Sequence, residues 1–164
     1  MISCKNRYLR ILFWVLALGT AVLIFFFSSQ VSDESTNVSN SVTAFIARIF
    51  VRNYDIMSEY DQYMIISSMN GFVRKAAHFS IYTVLAVFVT SALATYPTLS
   101  TKLRSVYSIL LCTAYASSDE LHQYFVPGRS CELRDVFIDA CGAVLGILIV
   151  TTVIYFYRTK KENS

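Results

Sequence analysis

Arg74-Lys75-Ala76-Ala77-His78-Phe79-Ser80-Ile81-Tyr82-Thr83-Val84-Leu85-Ala86-Val87-Phe88-Val89-Thr90-Ser91-Ala92-Leu93-Ala94 is an apolar run whose ionisable side chains all sit at one end. A bilayer core about 30 Å thick takes roughly 20 apolar residues of helix, so Ala76 to Ala94 reads as a membrane span entered past Arg74, Lys75 and His78. Three further runs approach or meet that length: Tyr8 to Phe27, Ser105 to Phe125 and Val136 to Tyr157. The chain has 164 residues, is 55% hydrophobic and has a mean hydropathy of +0.50, which excludes an ordinary soluble domain and leaves one compact membrane unit over 1–164. The expected fold is all-α: an integral membrane bundle of four transmembrane helices with an outer loop over 28–75.

Charge orients this bundle. Lys5, Arg7 and Arg10 precede the first run as in a secretory leader, but Phe25-Phe26-Phe27-Ser28-Ser29-Gln30 at its end lacks a small-x-small cleavage pattern, so an uncleaved helix is expected. With the N-terminus inside, the inner side holds Lys5, Arg7, Arg10, Lys102, Arg104, Arg158, Lys160 and Lys161 against the single acid Glu162. The other side holds six basic residues and ten acidic ones, so the positive-inside rule places both termini in the cytoplasm. Basic residues split across two faces of a membrane offer no continuous surface to nucleic acid, and no such partner is expected. Of the four cysteines only Cys131 and Cys141 share the outer side, where a bridge is open but unpaired thiols are the simpler reading.

The loop over 28–75 opens on Ser28-Ser29-Gln30-Val31-Ser32-Asp33-Glu34-Ser35, read as a polar turn rich in capping residues. Val42, Phe45, Ile46, Ile49 and Phe50 then recur at helical spacing with Arg48 and Arg52 off the stripe, which predicts an amphipathic helix along the outer interface or over the bundle as a lid. Tyr54 to Asn70 mixes aromatic, Met and acidic residues and gives no clear element. Thr95 to Arg104 is short enough to make the second and third spans antiparallel neighbours. Val126-Pro127-Gly128-Arg129 fits a type II turn that would bring Arg129 near the helix ends.

Ionisable groups at helix depth cost about 2.5 to 3.5 kcal/mol on insertion scales and usually mark function. Arg74, His78 and Tyr82 share one stripe, with Lys75 beside His78; Asp119, Glu120 and Gln123 share one flank of the third span. His122 lies about 200° around the helix from Glu120, so the two cannot face one ligand. Asp135, Asp139, Gly142 and Gly146 form a stripe on the fourth span, and Gly142-x-x-x-Gly146 permits close helix approach. Simple structural readings exist for Arg74 and Lys75 as headgroup anchors, and for Asp135 as a helix N-cap or dipole partner. Glu120 and Asp139, inside apolar spans, are the hardest to explain without function.

This combination admits four classes. Chemistry on a lipid-linked phosphate would use Arg129 and Arg74 to hold anionic oxygens, His78 to attack or to shuttle a proton, and Glu120 or Asp139 to orient it. A metal site from His78 and the carboxylates lacks H-E-x-x-H or paired-Cys spacing, and no cofactor is expected. A proton-coupled transporter would require a homo-oligomer, an assembly the sequence leaves open. The last class is a structural ion-pair network or a non-catalytic module that binds or shields an envelope component or antibiotic.

At these residues the chain resembles the VanZ-like family of bacterial integral membrane proteins. The resemblance rests on Phe27-Ser28-Ser29-Gln30, on Arg74-Lys75-Ala76-Ala77-His78-Phe79 with Tyr82, and above all on Ser118-Asp119-Glu120-Leu121-His122-Gln123-Tyr124-Phe125-Val126-Pro127-Gly128-Arg129, followed by Asp135-Val136-Phe137-Ile138-Asp139 and Gly142. It implies a cell-envelope protein whose partners are membrane lipids or lipid-linked cell-wall precursors, with a link to teicoplanin resistance. Carried over position by position, it selects His78, Glu120, Gln123, Arg129, Asp135 and Asp139, and then Lys75, Tyr82 and Asp119.

Overall fold

The computed structural model describes residues 4–29, 32–127 and 132–162, and no strand occurs among them. Five α-helices follow one another: α1 (Cys4–Ser28), α2 (Ser32–Phe50), α3 (Glu59–Ala94), α4 (Thr101–Tyr124) and α5 (Leu133–Glu162), with a short 3-10 turn at Tyr54–Ile56 between α2 and α3. Three of them, over Arg7–Ser28, Glu59–Ala94 and Leu133–Lys161, are long and apolar enough to cross a membrane. The third expected span, now α4, falls short by composition. Its polar residues point inward, with Arg104, Ser108, Asp119, Glu120 and Gln123 buried, while Leu103, Leu110 and Leu121 face out.

The second expected span begins earlier than its apolar run does. α3 has 36 residues, or about 54 Å at 1.5 Å each, well beyond a hydrocarbon core. Ser58 starts it by accepting from the Asp61 N–H at 3.2 Å, and α2 packs along the extension, where Asn70 donates to Asn40 at 2.9 Å. The polar residues of Tyr54 to Asn70 hid this helix because they bond to α2 and to the preceding turn; Gln62, for one, donates to the Tyr54 and Met57 carbonyls at 3.1 and 3.2 Å. The backbone is helical from Ser32, where a polar turn was expected. In α2, Thr43 and Ala47 are buried, whereas Val42, Phe45, Ile49 and Phe50 of the expected apolar stripe are exposed. The stripe therefore faces away from the bundle and does not cover it as a lid.

Packing inverts the pattern of a soluble bundle. Small residues such as Ala17, Ala86, Ala116 and Ala143 fill the contacts between helices, and large apolar side chains such as Leu18, Leu110 and Leu148 coat the outside. Lipid tails are as apolar as leucine, so helices in a membrane associate through close backbone approach and interhelical hydrogen bonds. α3 and α5 pack most extensively. A Cβ at Gly142 would overlap the Phe79 carbonyl oxygen, and one at Gly146 would overlap that of Thr83 and come within 2.9 Å of the Ala86 Cβ. Thr83 closes this crossing by donating to the Gly142 carbonyl at 2.9 Å. Thr90 donates to Ser108 at 2.9 Å between α3 and α4, and Tyr115 donates to the Ala21 carbonyl at 2.6 Å between α4 and α1. Cys112 is buried and Cys141 exposed, both as free thiols; Cys131 and the Gly128 of the expected type II turn lie outside the described residues.

Candidate functional site

At one end of the bundle the start of α1 meets the end of α3, where Arg10 donates to Thr95 at 3.1 and 3.2 Å, and Arg158 of α5 lines a cleft there with Ala94 and Arg104. The opposite end gathers the C-termini of α1 and α4, the N-terminus of α5 and the middle of α3 around one polar cluster. Asp139, a turn and a half into α5, is fully buried. Its Oδ1 lies 3.7 Å from His78 Nδ1 on α3, slightly beyond a hydrogen bond, and among the described residues neither carboxylate oxygen has a hydrogen-bond partner. Tyr82, one turn along α3 from His78, is equally buried with an unpartnered hydroxyl. Glu120 and Asp139 are each within electrostatic range of Asp119 and Asp135, so four carboxylates share this space.

Each acid is held differently. Asp119 Oδ2 accepts from the Ser28 hydroxyl at 2.9 Å and from Gln123 Nε2 at 3.2 Å, tying α4 to the end of α1, while its Oδ1 is buried and unpartnered. Glu120 Oε2 accepts the Glu132 backbone N–H at 2.9 Å, pinning the chain that leads into α5. Asp135, in the first turn of α5 where the helix dipole favours an anion, pairs with Lys75 Nζ at 2.9 Å. Lys75 also reaches Glu132 at 3.9 Å. His122 turns toward α1, 3.1 Å from the Ser29 hydroxyl and with its ring centroid 4.7 Å from that of Phe25, so it diverges from Glu120 as its spacing requires. Arg74 is exposed on α3, one turn before His78, and Arg129 lies outside the described residues.

The match that decides the family runs through all of these elements: the VanZ/LLP1 family model covers residues 13–155. The chain belongs to the VanZ-like family. No curated protein and no solved structure matches it. In this VanZ-like chain the fold brings together His78, Tyr82, Asp119, Glu120, Gln123, Asp135 and Asp139 from three helices, with Lys75 at their edge. Sequence reasoning read Ser28 and Ser29 as turn residues and as part of the family resemblance, without a role in the site, and did not single out Glu132. The first two carried a signal, since hydroxyls that follow three phenylalanines at a span end are poor lipid contacts and need polar partners. Glu132 carried none, because its contacts, a backbone N–H to Glu120 and a carboxylate 3.9 Å from Lys75, are set by how the helices pack.

The arrangement suits proton transfer. A carboxylate that orients one imidazole nitrogen leaves the other free to take or give a proton, and such contacts are often long until substrate is bound. Burial in low dielectric makes unpartnered polar atoms costly, by about 1 to 3 kcal/mol each. Among the described residues His78, Tyr82, Asp119 and Asp139 each bring such an atom to this junction.

Proposed function

We propose that this VanZ-like membrane protein acts on a phosphate-containing lipid head group or lipid-linked wall precursor at the outer leaflet, by hydrolysis or phosphoryl transfer. In this reading α4 is a fourth span, both termini are cytoplasmic, and tolerance to glycopeptides such as teicoplanin is one consequence of altered envelope lipids. The observation that carries it is the half-buried His78 facing the fully buried Asp139, 3.7 Å apart, with buried atoms on both residues that have no hydrogen-bond partner among the described residues. Asp139 orients the imidazole. His78 takes the proton of an attacking hydroxyl as its oxygen bonds to phosphorus, and returns that proton to the head-group oxygen whose bond to phosphorus breaks. Four carboxylates repel a phosphate but accept hydroxyl or amine donors, so the phosphate sits at the basic edge formed by Arg74 and Lys75 and the polar head group meets the acidic cluster. Tyr82, Asp119 and Gln123 lie in that cluster, and Glu120 and Asp135 position α5.

The test is a mass-spectrometric profile of membrane lipids and lipid-linked precursors from cells carrying the native chain or Asp139→Asn at matched membrane levels. A head-group species that changes only with the native chain supports catalysis. Identical profiles favour a non-catalytic module that binds or shields an envelope component, the reading suited to the contacts of Asp119, Glu120 and Asp135 with protein groups.

A further inference from the structure

At the other end of the bundle lies a second polar feature, unrelated to the acidic cluster. Arg104 sits in the first turn of α4, after the N-cap Ser100, and is only 7% exposed. One of its terminal nitrogens donates to the Tyr96 carbonyl at 3.1 Å, but its Nε is buried without a hydrogen-bond partner. Among the described residues no carboxylate lies within ion-pair distance of Arg104. Instead a second arginine, Arg158 on α5, lines the same cleft of about 110 Å³, whose remaining wall is three threonines, Thr90, Thr101 and Thr151, with Ala94, Ile154 and Tyr155.

Topology alone does not account for this. Basic residues that merely obey a charge rule stay in water, as the exposed Lys102 and Lys160 do. A buried charge carries a desolvation penalty of several kcal/mol unless it is paired, and a neighbouring like charge adds to it. An anion resolves both costs. The cleft has room for a group the size of a few water molecules, each about 30 Å³ in the liquid. It opens at the first turn of a 24-residue helix, whose dipole adds to the two guanidiniums. Arg158 lies 23 residues beyond Asp135 along α5, or about 35 Å, so the cleft is at the opposite leaflet from the acidic cluster.

We infer that Arg104 and Arg158 form an anion site for a phosphate group at the end of the bundle where α1 begins and α5 ends. The phosphate belongs to an anionic phospholipid of that leaflet or to a soluble phosphate, and both would use the same fork-shaped donors. The inference is independent of any catalysis at the acidic cluster.

The full chain in detergent is titrated with phosphatidylglycerol, with phosphatidylcholine and with inorganic phosphate, and bound lipid is read by native mass spectrometry and thermal stability by melting. Arg158→Gln removes the exposed member of the pair without touching buried Arg104, and Lys160→Gln is the control for charge on the same helix. Phosphatidylglycerol retained about tenfold better than phosphatidylcholine, a difference of about 1.4 kcal/mol, and lost in Arg158→Gln but not in Lys160→Gln, supports the site with a lipid ligand. A melting point raised by inorganic phosphate in the native chain but not in Arg158→Gln supports it with a soluble one. Binding that survives Arg158→Gln, that falls equally in Lys160→Gln, or that is absent with every probe overturns it.

Discussion

Asp139 and Lys75 illustrate two fates for a charged side chain in a membrane bundle. Lys75 pairs with Asp135 at 2.9 Å at a partly exposed edge, so its role is largely to hold α3 to α5. Replacing it with Met should lower stability by about 1 to 3 kcal/mol, between the values for exposed and buried pairs. Thermal unfolding in detergent checks this, and Lys75→Met with Asp135→Asn should recover part of the loss, because no unpaired charge then remains. Asp139 has no such partner at bonding distance, so Asp139→Asn should abolish the lipid change and leave the melting point within a few degrees of native. A variant that fails to reach the membrane would instead assign Asp139 to folding.

Gly142 and Gly146 set the separation of α3 and α5 and thereby the distance between His78 and Asp139. Gly142→Ala meets the Phe79 carbonyl backbone, which cannot turn aside as a side chain could. The helices must part, with an expected loss of about 1 to 3 kcal/mol, the usual range for overpacking, and of the lipid change as well. Gly71, also in α3, has nothing within 4 Å of where its Cβ would be, so Gly71→Ala should gain up to about 1 kcal/mol from helix propensity. Melting curves of the two variants should move in opposite directions. The apolar runs made most of α1, α3, α4 and α5 legible in the sequence, and the Gly-x-x-x-Gly spacing foretold the tight crossing. Period alone could not reveal which way α2 faces: its stripe marks an apolar face without saying whether protein or lipid meets it, and Thr43 and Ala47 proved to be the packing residues. The first half of α3 was hidden because Asn70 and Gln62 bond to neighbouring segments, a tertiary fact with no sequence period. Of the site, the stripes on α3, α4 and α5 were readable, whereas Ser28 and the backbone contact of Glu132 required the fold.

The whole molecule is polar at both ends of an apolar belt, acidic where α4 ends and basic where the chain begins and ends. That asymmetry makes orientation testable. In a chain whose four native cysteines are replaced by serine or alanine, cysteines introduced at exposed Ser58 and Thr98 lie beyond opposite ends of α3, and a membrane-impermeant thiol reagent applied to intact cells should label Ser58→Cys and spare Thr98→Cys. The reverse pattern would move the acidic cluster to the cytoplasmic leaflet and remove wall precursors displayed outside from its reach. The central claim, that the cluster performs chemistry on a lipid phosphate, is tested most directly by phosphorus NMR of vesicles made from bacterial polar lipids and containing the purified full chain. The account predicts a phosphorus resonance that grows with time beside the native protein and is absent with His78→Gln of equal melting point. Spectra that stay unchanged with the native chain, or that change equally with both, would contradict it.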